Sequence, residues 1–211
     1  QLAAFPDSGA VDGYGTADSL ADMARIALEQ APESFDLVGH SMGGRVALEV
    51  FRLAPERVRR IGLVSTGVHS LRDGEAAKRE ALQAIGWNHG FDKLIDTWLP
   101  PLVAEANRAR PEIYEPLRQM NVEAGQEVFD AQIHALVNRS EVESLLPRIA
   151  CPALVMTGAL DTWAGPEQHR TIAAAIPHSE LVIVPGAGHM IQLEAPDAVN
   201  AAIARWLERP A

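Results

Sequence analysis

The feature that most constrains the fold is a strand-like run that passes through a serine turn directly into a helix. Residues 35–38 read Phe-Asp-Leu-Val, a run of strand length that ends at Gly39. The serine follows in the pattern Gly39-x-Ser41-x-Gly43, and a helical pattern begins at once. Such a turn is cramped, so the residues two positions to either side of the serine are expected to lack side chains. The hydroxyl would then stand above the sheet as a nucleophile does, although a capping serine in an ordinary glycine-rich turn also fits.

The length and composition of the chain are typical of one folded domain with a full core, or of a core domain that carries an insertion. The chain has 211 residues, of which 47% are apolar, and this argues against disorder. Its net charge of −10 comes without any basic block, so nucleic acid is not an expected partner. No apolar run reaches membrane-spanning length, and the single cysteine, Cys151, allows no internal disulfide. We therefore expect a cytoplasmic protein without a membrane partner, of undefined oligomeric state.

Strand-like and helical runs alternate on both sides of a long helical region. Apolar strand-like runs occur at 61–64, 153–156 and 181–184, and each is followed by a turn. This alternation predicts a mostly parallel sheet flanked by helices. Between His69 and Leu146 the strand-like runs disappear and charged, alanine-rich helical segments replace them.

These boundaries predict an α/β core and a helical lid. The core would comprise residues 1–67 and 147–211, and the lid residues 68–146. Near the start of the chain, residues 1–5 resemble the end of a short helix and residues 10–14 one short strand. The first complete helix would be capped by Thr16 or Asp18.

Three reactive side chains each follow a predicted buried strand, namely Ser41, Asp161 and His189. In open α/β sheets, reactive groups meet at the carboxyl ends of the strands. A serine hydroxyl needs a base such as imidazole, and the imidazole needs a carboxylate that fixes its tautomer. Asp96 and Asp130 are alternative carboxylates, but neither follows a strand. A turn aspartate and a structural histidine remain the alternative interpretations of the second and third residues.

In their order and local motifs, these residues resemble the α/β-hydrolase family. The motifs are Gly-His-Ser-Met-Gly-Gly at 39–44, Gly-Ala-Leu-Asp at 158–161 and Pro-Gly-Ala-Gly-His at 185–189. The similarity extends over nearly the whole chain and is greatest to small bacterial esterases and enol-lactonases that carry a helical cap. It implies the α/β-hydrolase fold and hydrolysis of a small-molecule substrate without a cofactor.

The resemblance also implies a role for individual residues. Ser41 would be the nucleophile, His189 the general base and Asp161 the acid that orients it, while the Met42 backbone N–H would be one donor of the oxyanion hole. Members of the family place several strands and a glycine-rich turn, which supplies a second donor, before the nucleophile. Only 40 residues precede Ser41 here, and no such turn is visible. We therefore expect N-terminal strands of the complete enzyme to be missing from this sequence, and a naturally trimmed fold with weak catalysis is the alternative.

Large side chains near these motifs are candidates for contacts with the substrate. They are His40, Trp87, Trp98 and Trp163, and burial in the core is the alternative for each tryptophan. No pair of histidines has zinc-ligand spacing, so no metal site is predicted. The expected activity is hydrolysis of a small ester, thioester or lactone through an acyl-enzyme. A hydrolase of carbon–carbon bonds with the same three residues, or a ligand-binding protein that retains them, are the alternatives.

Overall fold

A four-stranded parallel sheet forms the centre of the molecule, whose structure is a computed structural model that describes residues 1–210. The strands are β1 Phe35–His40, β2 Val58–Val64, β3 Ala153–Gly158 and β4 Ser179–Val184, and they lie in that order across the sheet. The helices are α1 Leu20–Gln30, α2 Met42–Leu53, α3 Glu75–His89, α4 Phe91–Trp98, α5 Glu105–Arg108, α6 Pro111–Val137, α7 Pro166–Ala175, α8 Ile191–Glu194 and α9 Pro196–Leu207. Short 3₁₀ turns occupy Pro55–Arg57, Pro100–Leu102 and Glu143–Arg148.

The two faces of the sheet are covered by different helices. Leu63 and Val155 point into the larger core, which they share with apolar side chains of α1, α2 and α7. Leu154 and Met156 point to the opposite face, where they pack with α9 and its fully buried Trp206. Each such buried side chain contributes about 1.5–3 kcal/mol to folding. The predicted fold class, a parallel sheet flanked by helices, is confirmed.

Helices α3 to α6 lie between β2 and β3 and have an apolar cluster of their own. Leu94, Leu117 and Ile133 belong to this cluster, and Met190 joins it from the segment after β4. Helix α6 is bent at Gly125, whose φ of 83° lies outside the helical range. No helix of residues 1–210 is both long and apolar enough to cross a membrane. These helices fall within residues 68–146, and the division of the chain into core and lid domains stays a prediction.

The predictions for the first 30 residues are partly wrong. Helix α1 begins at Leu20, because Ser19 accepts a hydrogen bond from the Asp22 N–H and so caps the helix, in place of Thr16 or Asp18. Residues 2–4 form a turn, and no helix is present there. Residues 10–14 form no strand, because the side chain of Gln30 hydrogen-bonds both the N–H and the C=O of Asp12.

Candidate active site

Ser41 lies in the turn between β1 and α2 with a strained backbone. Its φ of 55° and ψ of −118° are rarely adopted by a residue that has a side chain. Two hydrogen bonds hold it there: the Ser41 N–H donates to the Val64 C=O at 2.8 Å, and the Thr66 hydroxyl donates to the Ser41 C=O at 2.7 Å. Such strain costs about 1–3 kcal/mol and persists only where the surrounding structure enforces it. The neighbouring strand therefore fixes the position of the serine.

The glycines around this turn differ in how strictly they are required. A Cβ on Gly39 would lie 2.1 Å from the Gly43 carbonyl oxygen, so the prediction that this position must lack a side chain is confirmed. The same prediction for Gly43 is wrong, because a Cβ there would meet nothing within 4 Å. The crowded position is Gly44, where a Cβ would lie 2.6 Å from the Thr66 Cβ. Close packing of α2 against the segment after β2 therefore depends on the second glycine of the pair.

Ser41, His189 and Asp161 form a continuous series of hydrogen bonds. The Ser41 Oγ lies 2.8 Å from His189 Nε2, and His189 Nδ1 lies 2.8 Å from Asp161 Oδ2. Because the carboxylate can only accept, Nδ1 donates to it and Nε2 is free to accept from the hydroxyl. Burial opposes ionisation of Asp161, but the hydrogen bond and charge of His189, with the N–H groups of Ala164 and Trp163, outweigh it and lower the Asp161 pKa to about 2. The carboxylate is therefore charged at neutral pH.

His40 supports the backbone of His189 at the edge of the same site. Its Nε2 donates to the His189 C=O at 2.8 Å, and the two ring centroids are 5.1 Å apart. Burial, together with the nearby charge of His189, lowers the pKa of His40 to about 4. The ring is therefore neutral at pH 7, and its predicted contact with substrate stays a prediction.

A cavity of about 320 Å³ opens beside Ser41 and receives two of the three tryptophans predicted to contact substrate. Trp98 and Trp163 line it and meet edge to face, with their ring centroids 6.5 Å apart. The prediction for Trp87 is wrong. Its side chain is 66% exposed on α3, and its Nε1 donates to Asp130 at 2.9 Å, away from the cavity. Asp130 also accepts hydrogen bonds from the side-chain amides of Gln83 and Gln126, and this cluster holds the ring on the outside of the helical region.

The sequence signature of the alpha/beta hydrolase family matches residues 4–202. The chain belongs to this family. Among curated relatives, it is 31% identical over 182 residues to the dihydrolipoyllysine-residue acetyltransferase component of the acetoin cleaving system of Pseudomonas putida, covering 82% of this chain and 45% of that protein. It is 30% identical over 200 residues to the pimeloyl-[acyl-carrier protein] methyl ester esterase of Pectobacterium carotovorum, covering 92% of this chain and 78% of that esterase. The chain thus spans less than half the length of the first of these relatives.

Solved structures show the same fold. A thermophilic esterase from Thermogutta terrifontis superimposes with a TM-score of 0.81 at 28% identity, covering 95% of this chain and 75% of that one. The enol-lactonase from Burkholderia xenovorans gives a TM-score of 0.81 at 22% identity, over 90% of this chain and 74% of the other, and this likeness concerns the fold alone.

In this alpha/beta hydrolase a buried carboxylate, Glu194, braces the segment that carries the histidine. Its oxygens accept hydrogen bonds from the backbone N–H groups of Gly188 and Met190 on one side. They also accept from the Ala104 N–H and the Asn107 side chain, which belong to the helical region. The role of Glu194 could not be predicted from the sequence, because a glutamate in a short helix gives no local sign that two donors from the distant helical region also converge on it.

A second residue that the sequence analysis missed is His169 in α7. It is fully buried, its Nε2 accepts from the Thr66 N–H at 3.2 Å, and its Nδ1 donates to the Gly165 C=O at 3.2 Å. Burial lowers its pKa, so it is neutral. By fixing the backbone of Thr66, it supports the residue that in turn holds Ser41.

Proposed function

We propose that this alpha/beta hydrolase cleaves a small carboxylic ester, thioester or lactone through an acyl-enzyme on Ser41. The observation that carries the proposal is the series of hydrogen bonds from Ser41 through His189 to Asp161, with two distances of 2.8 Å. A nucleophile, a base and an orienting carboxylate within bonding reach at one rim of a sheet are the groups that acyl transfer requires.

In the first half of the reaction, Ser41 Oγ attacks the acyl carbon while His189 Nε2 takes its proton. Asp161 stabilises the imidazolium that forms. The negative charge that develops on the carbonyl oxygen is met by the Met42 N–H at the amino terminus of α2, with the positive end of the helix dipole behind it. His189 then passes the proton to the leaving oxygen or sulfur, the scissile bond breaks, and an acyl-enzyme remains.

The second half of the reaction repeats these steps with water as the nucleophile. His189 takes a proton from a water molecule as its oxygen attacks the acyl carbon, and then returns the proton to Ser41 Oγ. The acid is released and the serine is regenerated. One ester and one water are consumed, and one acid and one alcohol, or thiol, are formed. For a lactone, both product groups stay on one molecule.

The relatives favour cleavage of an ester over a carbon–carbon bond. The Pectobacterium relative is a methyl ester esterase, and the structure from Thermogutta terrifontis is an esterase. Another relative, from Acinetobacter baylyi, is an (E)-2-((N-methylformamido)methylene)succinate hydrolase, 27% identical over 177 residues. The first two names support hydrolysis of an ester, and the third supports hydrolysis in general.

Hydrolysis of p-nitrophenyl esters from acetate to octanoate tests this proposal. We expect release of p-nitrophenol with a preferred chain length, and loss of kcat by on the order of 10⁴-fold or more in Ser41→Ala. Ser144→Ala is the control and should keep the wild-type rate, because Ser144 is exposed, lies outside the cavity lining and donates its hydroxyl to the Glu141 carboxylate at 2.7 Å. Equal rates for Ser41→Ala and the wild type, or no hydrolysis of any ester by the folded wild type, would contradict the proposal.

A further inference from the structure

One side of the cavity beside Ser41 is cationic. Arg45, Arg79 and Arg139 line it together with a single carboxylate, Glu75. The ionisable lining therefore carries a net positive charge at neutral pH, although the molecule as a whole has a net charge of −10. The need for solubility does not explain why an acidic protein has a positively charged cavity. A positively charged cavity attracts anionic ligands.

Arg139 is fully used in holding the structure together. Its side chain is 1% exposed and donates to both carboxylate oxygens of Glu75. It also donates to the backbone C=O groups of His69, Ser70 and Leu136. These bonds employ the whole guanidinium and much of the Glu75 charge, so Arg139 has little capacity for a ligand.

Arg45 is different, because part of its guanidinium is buried without a partner. The residue is 4% exposed, and its Nη2 donates to the His69 C=O. Its Nη1 is buried and has no hydrogen-bond partner within residues 1–210. Burial, followed by repulsion from Arg139, lowers the pKa of Arg45 to about 10. A buried cation with unused donors is unfavourable unless an anion completes it.

The position of Arg45 relates this unused donor to the proposed nucleophile. It lies four residues after Ser41 in α2, so the two backbone positions are separated by about 6 Å along the helix axis. Helical side chains tilt toward the amino terminus, which here is the end that carries Ser41. The rest of the cavity wall is largely apolar and includes Trp98, Leu117, Phe129, Ile133 and Leu136.

We propose that Arg45 binds an anionic group of the substrate, and that the preferred substrates are esters with a carboxylate at the end remote from the reacting bond. An apolar wall would hold the connecting carbon chain. A carboxylate suits the planar donor set of a guanidinium and needs fewer donors than a phosphate. The identity of the substrate rests on the proposed function, whereas the binding of a carboxylate at Arg45 does not.

A thermal-unfolding experiment tests the binding alone. Adipate, the neutral analogue hexanamide and inorganic phosphate are added separately, at matched ionic strength, to the wild type, Arg45→Gln and Arg52→Gln. Arg52 is the control, because it lies further along α2 and pairs with Glu49 outside the cavity. We expect adipate to raise the Tm of the wild type and of Arg52→Gln more than hexanamide does, and Arg45→Gln to lose this difference.

Three results would overturn the carboxylate site. They are equal stabilisation of the wild type by adipate and hexanamide, an undiminished adipate effect in folded Arg45→Gln, or stronger Arg45-dependent stabilisation by phosphate. If Arg45→Gln does not fold, the comparison of adipate, hexanamide and phosphate on the wild type decides the question.

A kinetic comparison then separates this inference from the proposed function. Monomethyl adipate and methyl hexanoate release the same alcohol and differ chiefly in the terminal carboxylate. We expect the wild type to prefer the anionic ester by at least about tenfold in kcat/KM, as one charged hydrogen bond allows, and Arg45→Gln to lose the preference. Cleavage of both esters without preference would refute the subsite and leave the hydrolase standing. Arg45-dependent binding of adipate without cleavage of any ester would support the subsite and refute the proposed hydrolase activity.

Discussion

At the scale of the residue, the backbone strain at Ser41 has a measurable cost. Glycine adopts a positive φ without the clash that a Cβ produces. Its greater flexibility in the unfolded chain lowers the stability of the folded protein by about 0.5–1 kcal/mol relative to alanine. The strain of about 1–3 kcal/mol is larger. We therefore expect Ser41→Gly to be more stable than Ser41→Ala, with a free energy of unfolding in urea that is larger by about 1 kcal/mol. Both variants lack the hydroxyl, so the difference reports the backbone alone. Equal stability would show that residue 41 is unstrained.

The lowered pKa of His40 predicts that the protein loses stability in mild acid. The unfolded imidazole binds a proton below about pH 6.5, whereas in the folded protein its pKa is about 4. Between these values the unfolded state holds more protons, so stability is complete above pH 6.5 and falls as the pH is lowered. For a partly exposed side chain we expect a loss of about 1 to 2 kcal/mol at pH 5.

The variant His40→Gln isolates this contribution, since it keeps a side-chain N–H donor but does not titrate. Urea unfolding at pH 7 and pH 5 measures both proteins. The wild type should lose about 1 to 2 kcal/mol more than the variant between the two pH values. Equal losses would mean that the His40 pKa is not lowered by folding.

At the scale of the element, Glu194 connects the histidine-bearing segment to the helical region. Glu194→Gln replaces one acceptor oxygen by a donor that faces buried N–H groups, so we expect a loss of about 2–3 kcal/mol in the free energy of unfolding. The kcat for an ester should fall as well, because the segment of His189 loses its brace. Glu29→Gln, on the exposed side of α1, is the control and should change stability by less than about 0.5 kcal/mol. A similarly small effect of Glu194→Gln would show that the buried carboxylate is not structural.

The packing of α2 gives a second test with a built-in control. Gly44→Ala places a methyl group against Thr66 and should cost about 1–3 kcal/mol of stability. Gly43→Ala meets open space at the start of the same helix and should be neutral or stabilise by up to about 1 kcal/mol. Thermal unfolding of the two variants measures the contrast. Equal effects would mean that α2 does not approach Thr66 as closely as the structure indicates.

Elements with a strong local pattern could be predicted from the sequence, and elements that depend on distant partners could not. The inner strands β2 and β3 follow from apolar runs, and the last helix follows from Pro196 and a regular apolar stripe. The run at 181–184 also forms a strand, but β4 is an outer strand and is only partly buried, so the expectation that it is buried is wrong. The start of α1 was predicted wrongly, because several residues near it are good caps and only the structure shows that Ser19 is used. The segment around Asp12 was predicted as a strand because nothing local reveals its pairing with Gln30.

At the scale of the whole molecule, the candidate site is assembled from segments far apart in the chain. Ser41 and His189 are separated by 148 residues, and Asp161 and His189 by 28. Their convergence could be predicted, because each follows a strand and parallel strands end at one edge of the sheet. The location of Trp87 and the unpaired donor of Arg45 could not be predicted, because both depend on how the helical region lies over the sheet.

Covalent labelling with a fluorophosphonate, located by mass spectrometry of the digested protein, tests the central claim most directly. The reagent reacts with a serine only when a neighbouring base activates the hydroxyl. We expect the folded protein to be labelled at Ser41, with labelling abolished in Ser41→Ala and strongly slowed in His189→Ala. Absence of label from Ser41 in the folded wild type, or labelling of Ser41 at an unchanged rate in His189→Ala, would contradict the account.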